Sequence, residues 1–88
     1  MIAKHVILHG KVQGVFYRDW SVENARKLGI AGWVQNLRDG TVEAHLEGSD
    51  EAVRTMIERM HDGPPRAEVE RIVENAVTSE GVEGFDRR

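Results

Sequence analysis

From Gly10 to Arg18 the chain reads GKVQGVFYR, a glycine-bracketed turn that follows an alternating apolar stretch and ends in a guanidinium where a helical pattern begins. Residue types in that order suit an anion. A turn of this kind frees successive backbone N–H groups to face one side, and the first turn of a following helix adds unpaired donors and the positive end of its dipole. Arg18 brings a planar fork that can hold two phosphate oxygens, with a charge that does not titrate near neutral pH. Gly10 and Gly14 open backbone conformations closed to other residues and keep side chains out of the anion's path. The chemistry implied is a phosphate cradle.

The elements around that turn follow from periodicity. Residues from about Ala3 to Lys11 alternate, with Val6 and Leu8 on one face and His5, Ile7, His9 and Lys11 on the other, as in a half-buried strand. From about Asp19 to Leu28 the spacing is helical, with Val22, Ala25 and Leu28 three apart, and Gly29–Ile30 reads as the C-terminal cap. The helix is thus expected to begin directly after Arg18. Strands follow at roughly Ala31 to Leu37 and Thr41 to Glu47, joined by the hairpin signal Asp39–Gly40. Ser49 or Asp50 can cap a second helix, in which Val53, Met56, Ile57 and Met60 form an apolar stripe before Gly63, Pro64 and Pro65 stop it. A last long strand spans about Ala67 to Val77, and the segment around Phe85 is compatible with a short edge strand. The order βαββαβ predicts an α+β, ferredoxin-like sandwich, a four-stranded antiparallel sheet with both helices on one face.

Length and composition narrow the rest. A chain of 88 residues reads as one domain, 1–88, and buries only about 60% of the surface that its unfolded form exposes. With no cysteine there is neither a disulfide framework nor a thiolate nucleophile or thiolate metal ligand. The opening apolar stretch is too short for a signal peptide and no run reaches membrane-spanning length, so the expected setting is soluble and cytoplasmic. A formal net charge of −3, with no basic block, speaks against nucleic acid as a partner.

Two segments carry a resemblance. LHGKVQGVFYR (Leu8 to Arg18) resembles the first signature of the acylphosphatase family, and GWVQNLRDGTVEAHLEG (Gly32 to Gly48) resembles the second over its whole length. The likeness covers about Lys4 to Val77. It implies hydrolysis of a carboxyl–phosphate mixed anhydride to a carboxylate and inorganic phosphate, without metal or cofactor and with a small acyl phosphate as substrate. It also implies roles: Arg18 binds the phosphoryl group together with backbone amides of Gln13, Gly14, Val15, Phe16 and Tyr17, and Asn36 holds the attacking water. Physical chemistry is compatible with this. A carboxylate is a good leaving group, and a loose phosphoryl-transfer transition state asks the protein mainly to position groups and stabilise charge. Asn36 offers one acceptor and two donors but is a poor base, so the water's proton is expected to pass to the substrate phosphate or to solvent. Asn36 also shares strand parity with Val34, an expected core residue, which aims its amide at the layer where the first helix begins.

Other readings of the same residues weaken on inspection. His5, His9 and His45 share the outward face of neighbouring strands with Glu43 and Glu47, and a surface metal site is conceivable there, but a polar outer sheet face is the ordinary explanation. A non-catalytic phosphate- or nucleic-acid-binding module on the same fold is the alternative function. An RNA-binding version needs exposed aromatics and a basic sheet face, whereas the outward positions are histidine, glutamate and threonine, and Trp33 is the one available stacking ring. A degenerate phosphate binder is expected to lack Arg18 or Asn36, and both are present. Gln13 reads as a loop residue whose N–H matters more than its side chain. Tyr17 needs a partner for its hydroxyl if its ring is buried. Monomer is the expected state.

Overall fold

A computed structural model describes residues Met1–Arg88. Strand β1 (Ile2–Lys11) leads through the glycine turn into helix α1 (Tyr17–Leu28), followed by β2 (Ala31–Asn36), β3 (Val42–Gly48), helix α2 (Asp50–Asp62), β4 (Glu68–Ala76) and β5 (Phe85–Arg87). The sheet order is β4-β1-β3-β2-β5, the ferredoxin-like α+β arrangement with one strand added. Four strands pair antiparallel, whereas β5 runs parallel to β2, with Gly32 opposite Phe85 and Val34 opposite Arg87. The short edge strand is therefore real, and it makes the sheet mixed.

Packing follows the alternation. Val6 and Leu8 of β1, Val34 of β2, and Val42, Ala44 and Leu46 of β3 are fully buried on the helix-facing side. They meet Ala25 of α1, Val53, Met56 and Met60 of α2, and Phe85 of β5 in one cluster. Helix α2 begins as its sequence requires, with Ser49 Oγ accepting from the Ala52 N–H at 3.1 Å. Helix α1 ends in a Schellman motif, in which Ile30 N–H donates to the Ala25 carbonyl and Gly29 N–H to that of Arg26.

Its beginning differs from the expectation. Helix α1 starts at Tyr17, so Arg18 lies inside the first turn rather than before it. The buried stripe is Tyr17, Ser21 and Ala25, four apart, and the preceding Phe16 caps the helix in a left-handed conformation with no side-chain hydrogen bond. A helix start without serine, threonine, aspartate or asparagine gives no sequence signal. The Tyr17 ring reaches α2, where its hydroxyl donates to the Met60 carbonyl.

The outer face of the sheet also departs from expectation. His45 and Glu47 lie on that face but are 2% and 4% exposed. Beneath the segment 77–84, which runs from β4 at one edge to β5 at the other, Glu47 accepts from Ser79 Oγ, the Glu80 N–H and His45 Nε2, each at 2.6 Å. This face is strapped, not open, above β3.

Candidate active site

The cradle is built where β1 ends. Gly10, at φ 122°, crosses the β4 backbone so closely that a Cβ there would sit 2.2 Å from the Glu68 carbonyl oxygen. The register of β1 against β4 shifts at this point, and pairing ends one residue later with Lys11 opposite Glu68. Gly14 has φ 74° and space where its Cβ would be, so its strain-free left-handed turn is the reason for glycine. None of the N–H groups of Gln13, Gly14, Val15 and Phe16 donates to another group of the protein. Those of Tyr17 and Arg18, in the first turn of α1, are the unpaired donors every helix start leaves.

Beside these amides lies a hollow of about 320 Å³ whose walls are Val12, Gly14, Phe16, Tyr17, Arg18, Asp19, Asn36 and Arg87. The hollow brings Arg18 and Asn36 together, along with the glycine turn, as the parity of Asn36 with buried Val34 requires. Of the other predicted residues, Val15 is buried beneath the turn, and Gln13 stands outside the hollow and acts through its side chain. Its Nε2 donates to the carbonyls of Leu37 at 2.7 Å and Thr41 at 2.8 Å, both in the loop that follows Asn36. That carboxamide ties the cradle to the hairpin. It is a feature that loop reasoning missed, because its partners lie far along the chain.

Arg18 is held from a second direction. Its Nη1 donates to the Arg88 carbonyl at 2.9 Å, Arg88 N–H donates to the Val34 carbonyl, and the Arg88 guanidinium lies 4.4 Å over the Trp33 ring. One donor of the fork is thus engaged by the protein, leaving the others for an anion. At the rim Arg87 Nη1 donates to Asp19 Oδ1 at 2.6 Å. Sequence reasoning found neither Arg87 nor Asp19 because nothing local places residue 87 beside residue 19.

Electrostatics favour an anion and leave little acid–base chemistry in the walls. Asp19 is the one carboxylate lining the hollow, and it is paired. Burial, with the Asp62 charge adding to it, raises the Tyr17 phenol above its ordinary range, so that it stays protonated and donates to Met60. A larger hollow of about 430 Å³ lies across the molecule between α2 and the β1–β4 edge. Its charges are of both signs, with Lys4 paired to Glu74 and Arg54 to Asp50, so size does not choose the site. The outward histidines do not converge on a common point: His5 Nε2 meets Glu43 at 2.7 Å and His45 Nε2 meets Glu47.

The chain as a whole has counterparts among known proteins. The acylphosphatase family model covers residues 4–87. The chain is 49% identical to the acylphosphatase of Acidiphilium cryptum over 88 residues, 100% of this chain and 97% of that one. It superposes on the crystal structure of the Bacillus subtilis acylphosphatase with a TM-score of 0.97 at 34% identity, covering 100% of this chain and 99% of that one. For the acylphosphatase of Coxiella burnetii the TM-score is 0.96 at 34% identity, with 99% and 92% covered.

The chain belongs to the acylphosphatase family.

As an acylphosphatase it is a hydrolase acting on acyl phosphates. No helix of this acylphosphatase is long and apolar enough to cross a membrane.

Proposed function

We propose that this acylphosphatase holds the phosphoryl group of its substrate with Arg18 and the amides of Gln13, Gly14, Val15, Phe16 and Tyr17, while Asn36 orients the attacking water. One observation carries the reading: Gly14 and Phe16, whose amides are unpaired, line a single hollow together with Arg18 and Asn36. The water oxygen bonds to phosphorus, the phosphorus–oxygen bond to the acyl group breaks, and the carboxylate leaves with the electron pair. The water's proton passes to a phosphate oxygen, giving inorganic phosphate as the second product. The amides and guanidinium stabilise negative charge spread over the phosphoryl oxygens, and the asparagine supplies alignment.

No wall residue is required as a base. Asn36 cannot serve, Tyr17 donates to Met60, and Asp19 is committed to Arg87. The enzyme is further proposed to work as a cytoplasmic monomer of one domain, in keeping with its lack of cysteine.

The test is hydrolysis of benzoyl phosphate in metal-free buffer. Arg18→Ala and Asn36→Ala are expected to lose nearly all activity with unchanged circular dichroism. Arg18→Lys is expected to fall at least about a hundredfold in kcat, since a point charge cannot replace the fork. Asp19→Asn is expected to keep the wild-type shape of the pH–rate profile. Full activity in Arg18→Ala, or a pH limb that disappears in Asp19→Asn, contradicts the assigned roles.

A further inference from the structure

Phe16 is unusual in two independent respects. It is the one non-glycine residue with positive φ, at 64°, a conformation uncommon for a bulky side chain. Its ring is 68% exposed, although the other four aromatic side chains of the chain, Tyr17, Trp20, Trp33 and Phe85, are buried or half-buried. The ring stacks on none of them, since the aromatic pairs are Tyr17 with Trp20 and Trp33 with His45. Glycine or asparagine satisfies the same backbone without a ring in water, so local stability does not account for phenylalanine here.

Position does account for it. Phe16 lines the hollow that holds Arg18 and Asn36. In an in-line displacement the acyl group leaves from the face of phosphorus opposite the water, so a wall of the hollow other than the one that orients the water must receive it. The charges at that rim are already matched, Arg87 by Asp19 at 2.6 Å, and one arm of Arg18 is bonded to Arg88. What the wall offers the departing group is an apolar ring and not a second cation.

We propose that the Phe16 ring is the platform for the acyl half of the substrate, selecting acyl phosphates with an uncharged aromatic acyl group over those with a small aliphatic one. This inference rests on the reading of the same hollow as the acyl phosphate site. A ring lying on the acyl group contacts it equally before and during cleavage of the phosphorus–oxygen bond, so its contribution falls on KM and not on kcat. Aromatic contacts of this kind correspond to a factor of about three to ten in affinity.

The experiment compares benzoyl phosphate with acetyl phosphate in the full chain, in wild type, Phe16→Gly and Phe16→Asn, with Arg18→Ala as the control. Both Phe16 variants keep a residue that tolerates the left-handed turn, and the ratio of the two substrates cancels any common change in the cradle. The expected result is a benzoyl-over-acetyl ratio of kcat/KM that falls about three- to tenfold, through KM for benzoyl phosphate. A ratio unchanged in both variants, or lowered through kcat alone, overturns the platform while leaving the phosphate site standing. Wild type that hydrolyses neither substrate removes the underlying reading, and the platform with it.

Discussion

Gln13 shows how much of the site is held by one uncharged side chain. With two carbonyls bound to its Nε2, it fixes the spacing between the loop that carries the amides and the strand that carries Asn36. Gln13→Ala is expected to lower stability by about 1–3 kcal/mol, the cost of leaving half-buried carbonyls underpaired. It is also expected to reduce kcat/KM by about tenfold, because water and phosphoryl group lose alignment. Urea unfolding and steady-state kinetics on one preparation check both. Activity that falls no further than the shift in folded fraction means that Gln13 only stabilises. At this scale the pairing of Arg18 with Asn36 was expected from the two signature segments and from strand parity, and the structure brings both side chains to one hollow. The side-chain role of Gln13 was not, because its partners are 24 and 28 residues away. Nor was the burial of His45, whose neighbours in sequence mark only which face of the strand it takes.

Among the elements, β5 brings Arg87 to the hollow, and the strap 77–84 covers the outer face of the sheet. Trp33 Nε1 donates to Glu80 Oε1 at 3.0 Å, and Glu47 beneath it collects the Ser79 hydroxyl, the His45 ring and the Glu80 amide. Those hydrogen bonds, that from Ser79 foremost and then that from His45, outweigh the opposing effect of burial and lower the Glu47 carboxyl from 4.5 to about 2. A carboxyl depressed on folding adds stability that is complete above its unfolded value and is lost as pH falls toward its folded one. The window here runs from about pH 4.5 down to about pH 2. Melting temperature should therefore drop across that window more steeply in wild type than in Glu47→Gln, and parallel curves for the two proteins count against the clasp. Helix α2, its serine cap and both hairpin strands were legible from periodicity and turn chemistry. The parallel pairing of β5 was not, because three residues are too few for alternation to register, and the partner strand lies about fifty residues earlier. Polar outward residues on β3 looked solvent-facing for the same reason: the covering segment arrives from the far edge of the sheet.

For the molecule as a whole, the contact between Arg18 and Arg88 spans 70 residues, so the proposed anion site draws on the last residue of the chain as well as on α1. Closing so long a loop is entropically costly and comes after local turns and hairpins have formed. A cradle that is complete only once β5 has zipped onto β2 is absent from a transition state that precedes that step. Inorganic phosphate should then act on one limb of the chevron alone, slowing unfolding in stopped-flow denaturant jumps while leaving the refolding rate where it was. Faster refolding with added phosphate would place cradle closure inside the folding nucleus instead. If β5 zips late, the product of the hydrolysis doubles as a kinetic latch on the native state.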